Sequence, residues 1–577
     1  MRRILTTVSA MALGLAMILP APRGADASSL AGAYLAGRSA ALQHDYAKAA
    51  EYYSAALARD PGNLELMESA ALAYLALGKI QQALPFARSI VREGQDSQAA
   101  RMVITAGMAD EGLYAALAER EVQTDGISPW VDGLVRAWAL IGADQVDAGL
   151  AAFDTISRES GMEGIVSYHK ALALGTLGRY DAAQALFDSG AVAGAARTRR
   201  GVLAQVEILS QLGRNEDARN VIGNTFGGSS DPELDAIIAA LDAGETLPFT
   251  QAPTARAGLA EVFYTFAALL RAEQASEYYT LLYARVARHL RPDHVDALLL
   301  SAELLEDLGQ HTLAIEEYRA VSADDPAYHV AELGRAAALR QLDKTDQAVE
   351  VLQQLTRSHG DLAVVHSTLG DTLRARDEDE AAIAAYTTAL ELTPEGDERA
   401  WFLHFSRGIA ESRSGDTVAA EEDFRAALAI NPDQPQVLNY LGYSLVEEQR
   451  KLDEALDMIE RAVAASPQSG YIVDSLGWVY YRLGRYEEAV EQMERAVELE
   501  AVDPVVNDHL GDVYWAVGRE REARFQWKRA LSFVKYGQTD TEAEPDRIRR
   551  KLEVGLDQVL QEEGAPPLKV ANDDGGE

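Results

Sequence analysis

Apolar residues recur at spacings of three and four along nearly the whole chain. They fall in short stretches, and glycine, proline or clustered polar residues separate one stretch from the next. This spacing places apolar side chains on one face of a helix, whereas a half-buried strand would alternate them with polar ones. The pattern therefore predicts an all-α chain built from short amphipathic helices.

The predicted helices come in a repeating order. The pair Leu476-Gly477 recurs as Leu510-Gly511, 34 residues further along the chain. The first copy carries Leu476, Gly477, Tyr480, Ala489 and Met493. The second copy carries Leu510, Gly511, Tyr514, Ala523 and Trp527. The period and these positions resemble the tetratricopeptide repeat (TPR), a helix hairpin of 34 residues.

The resemblance implies a TPR α-solenoid, in which stacked hairpins form a right-handed superhelix with a concave inner surface. A single hairpin cannot bury its apolar faces, so stability comes from the stacking of neighbours. About thirteen units can be recognised at this period, and those near residues 98–130 and 130–163 are irregular.

Residues 227–256 interrupt the repeats. Glycine and serine begin this stretch and two prolines end it, which is typical of turns and loops. We therefore expect an N-terminal array over residues 28–226, a linker over 227–256 with a short helix at 233–243, and a C-terminal array over 257–537. Residues 538–577 are expected to form a capping helix from Pro545 to Glu563 and a disordered acidic tail.

Residues 1–27 have the layout of a secretory signal peptide. Arg2 and Arg3 precede an uncharged, mostly apolar run from Ile4 to Leu19, and a small-x-small cleavage pattern ends at Ala27. The run is shorter than the ~20 residues that span a bilayer. We expect cleavage after Ala27, export to the periplasm and no integral membrane span in the mature chain; an uncleaved anchor is the alternative.

Charge and composition narrow the possible partners and chemistry. The chain has 90 acidic and 53 basic residues, a formal net charge of −37, which disfavours a nucleic-acid partner. It has no cysteine, its ten histidines lack metal-binding spacing, and it has no phosphate-binding or nucleophile motif. We expect no cofactor, no metal and no catalytic site, with an enzyme of unrecognised type as a minor alternative. The oligomeric state stays open.

Basic residues cluster on the expected capping helix. We expect them to form a solvated or salt-bridged face rather than a nucleic-acid site. They are Arg547, Arg549, Arg550 and Lys551.

In TPR proteins the first helix of each hairpin lines the concave face, so the resemblance predicts a protein-binding groove in the C-terminal array. The side chains placed there are Asn439, Tyr440, Tyr443, Asp474, Trp478, Tyr481, Arg482, Asp508, His509, Asp512 and Trp515. Large aromatics beside hydrogen-bonding groups are typical of interface hot spots, and the acidic members favour a ligand with lysine or arginine. The alternative, that Trp478 and Trp515 pack between units, stays open.

Two of these positions also bear on the class of partner. The lysine-and-asparagine clamp of chaperone-binding TPR domains is missing, because Asp474 and Asp508 stand at those positions. Recognition of a chaperone tail is therefore disfavoured.

Residues 434–529 resemble a narrower group, the exported TPR proteins of proteobacteria. The stretches that carry this resemblance are VLNYLGYSL, YIVDSLGWVYYRLGRYEEAV and VNDHLGDVYWAVGREREARFQWKRAL. Some members are outer-membrane lipoproteins that act as adaptors for a carboxyl-terminal processing protease and deliver cell-wall hydrolases to it. This chain has no cysteine to lipidate. The resemblance implies a non-enzymatic periplasmic scaffold or adaptor; the alternative is a peptidoglycan- or polysaccharide-binding protein whose groove aromatics stack on sugars.

Overall fold

The computed structural model describes residues 29–120, 126–156, 163–192, 194, 198–227, 232–534, 543–565 and 568. These residues form 31 helices and no β-strand, which confirms the predicted all-α solenoid of TPR hairpins. The expected signal peptide and nearly all of the expected acidic tail lie outside the described residues.

The chain divides into two compact units, Met1–Ala348 and Val349–Glu577. The helices of the first unit are α1 (Leu30–Leu42), α2 (Tyr46–Leu57), α3 (Leu64–Ala76), α4 (Ile80–Arg92), α5 (Gln98–Asp110), α6 (Tyr114–Ala118), α7 (Pro129–Gly142), α8 (Val146–Ile156), α9 (Glu163–Thr176), α10 (Tyr180–Asp188), α11 (Arg199–Gln211), α12 (Asn215–Phe226), α13 (Pro232–Asp242), α14 (Ala255–Ala272), α15 (Glu277–Leu290), α16 (Val295–Asp307), α17 (His311–Tyr318) and α18 (Tyr328–Gln341). Helix α19 (Thr345–Ser358) contains the division.

The helices of the second unit pair into successive hairpins and end with two short helices. They are α20 (Ala363–Arg374), α21 (Asp379–Leu392), α22 (Ala400–Ser414), α23 (Thr417–Ile430), α24 (Pro435–Glu447), α25 (Leu452–Ala465), α26 (Gly470–Arg482), α27 (Tyr486–Leu499), α28 (Pro504–Ala516), α29 (Glu520–Phe533), α30 (Pro545–Val554) and α31 (Leu556–Glu562). The expected capping helix is present, but Gly555 (φ 89°) breaks it into α30 and α31.

Local sequence accounts for the ends of the hairpin helices. Asp503 precedes α28 and its carboxylate accepts hydrogen bonds from the backbone N–H groups of Val505 and Val506, which satisfies donors that the first helical turn leaves free. Between the two helices of a hairpin, Gly484 and Gly518 have φ of 75° and 77°, a conformation that glycine adopts without strain.

A glycine on the first helix lets the second helix of each hairpin approach closely. In the second unit an added Cβ would lie less than 3 Å from a large side chain of the second helix, so any other residue would clash. The pairs are Gly370 with Tyr386, Gly408 with Phe424, Gly442 with Ile459, Gly477 with Met493 and Gly511 with Trp527. These are the small and large positions of the repeat pattern.

In the first unit the hairpin α14–α15 packs against the first helices of earlier hairpins. Gln98 on α5 donates to the Tyr283 hydroxyl (3.0 Å), and Arg285 Nε donates to the backbone oxygen of Ala76 at the end of α3 (2.9 Å). Tyr168 on α9 donates to Glu261 on α14 (3.0 Å). Because first helices line the inner face of a TPR array, α14–α15 covers the inner face of the hairpins before it.

The predicted division at residues 227–256 does not coincide with the division between the units, because this stretch lies inside the first unit. Helix α13 forms as expected, and the extended residues after it are held against α11. The buried Glu207 accepts hydrogen bonds from Thr250 N–H (2.8 Å), Thr250 Oγ1 (2.6 Å) and Gln251 Nε2 (2.9 Å). Residues 250 and 251 are therefore packed against α11, and the α14–α15 contacts join the helices on both sides of them.

Candidate functional site

The first helices of the second unit present one face away from their own hairpin partners. Glycines such as Gly477 face the second helix, so residues spaced by three and four from one another, such as Asp474, Trp478 and Tyr481, lie together on the adjacent side. We call the side of α22, α24, α26 and α28 that faces away from the second helix of the same hairpin the inner face.

The inner face carries exposed aromatic side chains on α22, α24 and α26. Phe402 is 46% exposed, Tyr440 is 46% exposed and Tyr471 is 57% exposed. Tyr440 packs edge-on against the half-buried Phe405 of the neighbouring first helix, with ring centroids 5.4 Å apart. Phe402, Phe405, Tyr440, Tyr443 and Tyr471 are called the aromatic track below. Half-buried Asn439 lies beside it, and its Oδ1 has no hydrogen-bond partner among the described residues.

Trp478 joins three neighbouring first helices. Its indole ring stacks on Tyr481 (centroids 4.8 Å apart) and on His509 of α28 (4.1 Å). Its Nε1 donates to Glu447 of α24 (2.9 Å), and Arg482 lies 3.9 Å from the same carboxylate. Trp478 therefore packs between hairpins, and Tyr481 is buried in the same contact.

Beyond Trp478 the inner face becomes acidic and buried. Asp474 contacts the His509 ring (Oδ2 to Nδ1, 2.9 Å). On α28, Asp508 and Asp512 hold the ammonium group of Lys551 from α30, whose Nζ lies 2.8 and 3.0 Å from the Asp508 oxygens and 2.7 Å from both Asp512 oxygens. Lys551 is fully buried. Asp508 and Asp512, predicted to bind a basic ligand, thus hold a lysine of the same chain.

Helix α31 covers the end of the acidic region. Trp515 Nε1 donates to Asp557 of α31 (2.9 Å), and an added Cβ at Gly555 would lie 2.6 Å from the Trp515 ring. Trp515 also lies 5.4 Å from Trp527, measured between ring centroids. Trp515 therefore packs against the last helices.

The carboxylates at this end change the protonation of their neighbours. Burial lowers the pKa of His509, but Asp474, Asp508 and Asp512 outweigh burial and raise it above its ordinary value, which favours the imidazolium. Burial raises the pKa of Asp508, and Lys551 opposes that shift. Ion pairs between the aspartates and the side chains of His509 and Lys551 hold this buried cluster together.

The eleven predicted groove residues thus fall into three groups. Tyr440 packs on Phe405, and Asn439 and Tyr443 are half-buried on the same helix. Trp478 stacks on Tyr481 and His509, with Asp474 bound to His509 and Arg482 near Glu447. Asp508, Asp512 and Trp515 contact α30 or α31. Of the predicted residues, Tyr440 is exposed, whereas Asp474, Tyr481, Asp508 and Asp512 are buried.

The repeat register could have found the aromatic residues that the sequence-based prediction missed. Tyr471 lies six residues before Gly477, and Phe402 lies six before Gly408, so both occupy one position of the repeat. The burial of Lys551 could have been inferred from its spacing of three from Ile548, which places both side chains on the apolar side of α30. The rest of the basic cluster forms surface ion pairs, as expected: Arg547 with Glu563, Arg549 with Asp546 and Arg550 with Glu562.

A second polar cluster lies in the first unit beside a cavity of about 570 Å³. Arg200 donates to both oxygens of buried Glu261 (2.8 Å each) and to Asp296 (2.7 Å). Burial raises the pKa of Glu261, but Arg200 and His294 outweigh it and bring it below its ordinary value. Arg200 lies on α11, Glu261 on α14 and Asp296 on α16, so these ion pairs join the three helices.

Within the described part of the chain, no group of three or more histidine, aspartate or glutamate side chains could hold a metal ion. No described helix is long and apolar enough to cross a membrane.

A cavity of about 730 Å³ opens between α21 and α22. Its lining includes Leu390, Pro394, His404, Arg407 and Ile430. The side chains of His404 and Arg407 are both bound to Asp423 (2.9 and 2.6 Å).

Comparison with known proteins places the repeats in one family. The tetratricopeptide repeat family matches residues 40–106, 264–329, 333–397, 405–470 and 473–500, which together are just over half of the chain. The TPR repeat-containing protein PA4667 of Pseudomonas aeruginosa is 27% identical over 183 residues. That match covers 32% of this chain and 30% of the length of the relative.

Solved structures with a similar arrangement include two at low identity. The Cut9–Hcn1 hetero-tetramer of the APC/C has a TM-score of 0.38 and 14% identity, with coverage of 92% of this chain and 96% of that chain. A tetratricopeptide repeat protein of Parabacteroides merdae has a TM-score of 0.37 and 17% identity, with coverage of 45% and 97%. From its repeat matches and its helix hairpins, the chain belongs to the tetratricopeptide repeat proteins.

Proposed function

We propose that the chain is a non-enzymatic scaffold that binds a protein partner along the aromatic track of the second unit. Arrays of this family serve generally as protein-interaction scaffolds. One observation carries the choice of surface: Phe402, Tyr440 and Tyr471 are exposed on first helices of the second unit. In the first unit, α14–α15 contacts the first helices of the hairpins before it.

The chemistry of the surface indicates the kind of segment it binds. Aromatic side chains at the centre of an interface supply most of its binding free energy. The net charge of −37 favours a segment that also carries lysine or arginine. We therefore propose a partner segment that alternates apolar and basic side chains.

Substitution of the aromatic track tests this function. Tyr440→Ala and Phe402→Ala should each weaken binding of the captured partner by about 2 kcal/mol, as for other hot-spot aromatics. The partner is identified by capture from envelope extract and mass spectrometry, and its affinity is then measured by calorimetry. Phe525→Ala is the matched control, because Phe525 is 60% exposed but lies on α29, a second helix. Equal affinity of parent and track variants, with unchanged helical melting, would contradict the proposal.

We further propose that the protein acts in the periplasm. The support is the pattern of residues 1–27, where Arg2 and Arg3 precede an apolar run and a small-x-small site. N-terminal sequencing of the protein from its native host should begin at or near Ser28. A membrane-integrated species that retains Met1 would show an uncleaved anchor instead.

The adaptor role for a carboxyl-terminal processing protease is proposed from the family resemblance of residues 434–529. In a purified system, adding the chain should speed cleavage of a cell-wall hydrolase by that protease, and Tyr440→Ala should reduce the effect. An unchanged cleavage rate would remove the adaptor role and leave the scaffold function.

Sugar binding, the alternative, has less support. Trp478 and Trp515, which would stack on sugar rings, are engaged with His509 and with α31 instead. Binding of purified sacculi that is lost in Tyr440→Ala would favour this alternative over a protein partner.

A further inference from the structure

We infer that Asp508 and Asp512 form a lysine-binding site, that the chain's own α30–α31 segment occupies it, and that a lysine-bearing partner segment binds there by displacing α30–α31. The site itself follows from the contacts below. The displacement by a partner rests on the proposed function of the inner face.

The site is built to hold one primary ammonium group. Both carboxylates approach Lys551 Nζ with both of their oxygens, at 2.7 to 3.0 Å. Asp512 also accepts a hydrogen bond from Trp527 Nε1 (2.8 Å), which fixes its orientation from the second helix of the same hairpin. Because Trp527 belongs to α29, this orientation does not depend on α30–α31.

Lys551 supplies the cation that lies nearest to the two carboxylates. Two carboxylates face one ammonium group, and Arg547 stands further away, 3.7 Å from Asp512. Without Lys551, the two buried carboxylates would lose the cation at hydrogen-bond distance, and their positive neighbours would be Arg547, 3.7 Å from Asp512, and the His509 ring, which is unfavourable. The site therefore favours a second cation from this chain or from a partner.

The segment that supplies the cation makes a limited set of other contacts, among them hydrogen bonds from Trp515 to Asp557 and from Arg524 to the backbone oxygen of Leu552. Helix α30 has ten residues and buries only Ile548 and Lys551, and α31 has seven and buries Leu556 and Val559. Helices this short are marginal in water without tertiary packing. A buried ion pair adds little net stability, because the desolvation of its charges offsets their attraction. Docking of the segment is thus specific, and a competitor has to replace the contacts of these four buried side chains.

The two helices hold each other, so they would leave as a unit. Arg547 pairs with Glu563 (2.8 Å) and Arg550 with Glu562 (2.7 Å), which link α30 to the end of α31. Their departure would uncover Trp515, which now contacts Gly555 and Asp557. The uncovered surface would be an indole ring beside two carboxylates. It suits a lysine that has an apolar neighbour.

The test uses the chain's own segment as a probe in trans. A synthetic peptide of residues 543–565, and the same peptide with methionine in place of its lysine, are titrated into the full mature chain by fluorescence anisotropy. Hydrogen exchange of residues 545–562 reports whether α30–α31 remains docked. The chains compared are the parent, Lys551→Met, Ile548→Asp and the control Arg549→Met, whose side chain is 61% exposed.

In the parent the docked segment competes at a high effective concentration, so the peptide should bind weakly. Lys551→Met removes the cation, and Ile548→Asp removes the apolar anchor while leaving the acidic site intact. Both variants should lose exchange protection in α30–α31 and bind the lysine peptide at least ten times more tightly than the parent. The methionine peptide should bind at least ten times more weakly than the lysine peptide, and Arg549→Met should behave as the parent.

Four results would overturn the inference. They are undiminished protection of α30–α31 in Lys551→Met, loss of protection without peptide binding in both variants, equal binding of the two peptides, and release of α30–α31 by Arg549→Met. The peptide assay needs no partner protein. If the aromatic-track variants bind the partner as the parent does, the proposed function is removed and the lysine site is unaffected. If the peptide assay fails, the lysine site is removed and the proposed function is unaffected.

Discussion

At the scale of single residues, the fold depends on small side chains placed against large ones. Within a hairpin, the glycine of the repeat leaves space for a large side chain of the second helix, as Gly511 does for Trp527. The same device joins hairpins that are distant in sequence, because Gly258 on α14 faces the fully buried ring of Trp138 on α7. A Cβ at residue 258 would lie 2.2 Å from that ring. Van der Waals contact of that kind leaves no room for a methyl group.

Gly258→Ala should therefore destabilise the first unit by about 1–3 kcal/mol, the usual cost of overpacking a core. The measurement is the free energy of unfolding from urea titration followed by circular dichroism. Gly223→Ala is the matched control, because Gly223 also lies in a helix and an added Cβ there meets nothing within 4 Å. It should be neutral or stabilising by up to about 1 kcal/mol. A Gly258→Ala protein as stable as the parent would show that Trp138 can move.

Glu411 makes stability depend on pH. Burial raises the pKa of Glu411 to about 7, and its Oε2 has no hydrogen-bond partner among the described residues. The native state therefore binds the proton more tightly than the unfolded state, whose pKa is near 4.5. Its contribution to the free energy of unfolding is complete below about pH 4.5 and is lost as the pH rises through about 7.

Glu411→Gln should flatten that dependence and make the protein more stable than the parent at pH 8, by roughly 2–3 kcal/mol. Unfolding curves at pH 4.5, 6, 7 and 8 measure the effect. Glu422→Gln, at an exposed position of α23, is the control and should leave the slope unchanged. The same slope in Glu411→Gln and the parent would count against a neutral Glu411.

At the scale of elements, the hairpin α14–α15 organises the first unit. It is long, it carries buried apolar side chains on most of its surface, and it contacts α3, α5, α7 and α9. Arg285 of α15 is buried: its Nε donates to the backbone oxygen of Ala76 (2.9 Å) and its Nη1 donates to Glu317. One side chain thus satisfies the carbonyl end of α3 and a buried carboxylate of α17.

Arg285→Met should lower the free energy of unfolding by about 3 kcal/mol, because it leaves a buried carbonyl and weakens the pairing of a buried carboxylate. The double variant with Glu317→Gln should recover part of that loss. Hydrogen exchange should speed up in α3 and α15. As a comparison, Arg219→Met removes an exposed pair with Asp242 and should cost less than about 1 kcal/mol. If both arginine variants had equal effects, the contact would not organise the unit.

At the scale of the whole molecule, charge decides the class of partner. The chain as a whole has a formal net charge of −37 and therefore a negative field. Such a field speeds encounter with basic segments and discriminates against acidic ones.

Affinity for the captured partner should therefore fall on the order of tenfold when salt rises from about 50 to 500 mM, because salt screens exposed charges. Titration calorimetry at several salt concentrations measures this. Most of the loss should lie in the association rate, which stopped-flow fluorescence separates from dissociation. Affinity that stays constant or rises with salt would show an apolar interface without a basic ligand segment.

Sequence by itself determined the helices, their pairing and their class. The spacing of Leu476, Gly477 and Tyr480 repeats locally, so short-range contacts within one hairpin suffice to specify it. The same register located Tyr440 and Tyr443 on first helices, and the acidic composition favoured a basic ligand.

Tertiary structure alone decided which inner faces are open. The contacts that cover the first unit join residues far apart in the chain, such as Gln98 with Tyr283 and Ala76 with Arg285, separated by 185 and 209 positions. Lys551 is 39 residues from Asp512, and its sequence is that of an ordinary basic surface helix. A helical period specifies which side of a helix is apolar, but not which distant element will cover it. That choice depends on the sum of packing and charge across the folded unit.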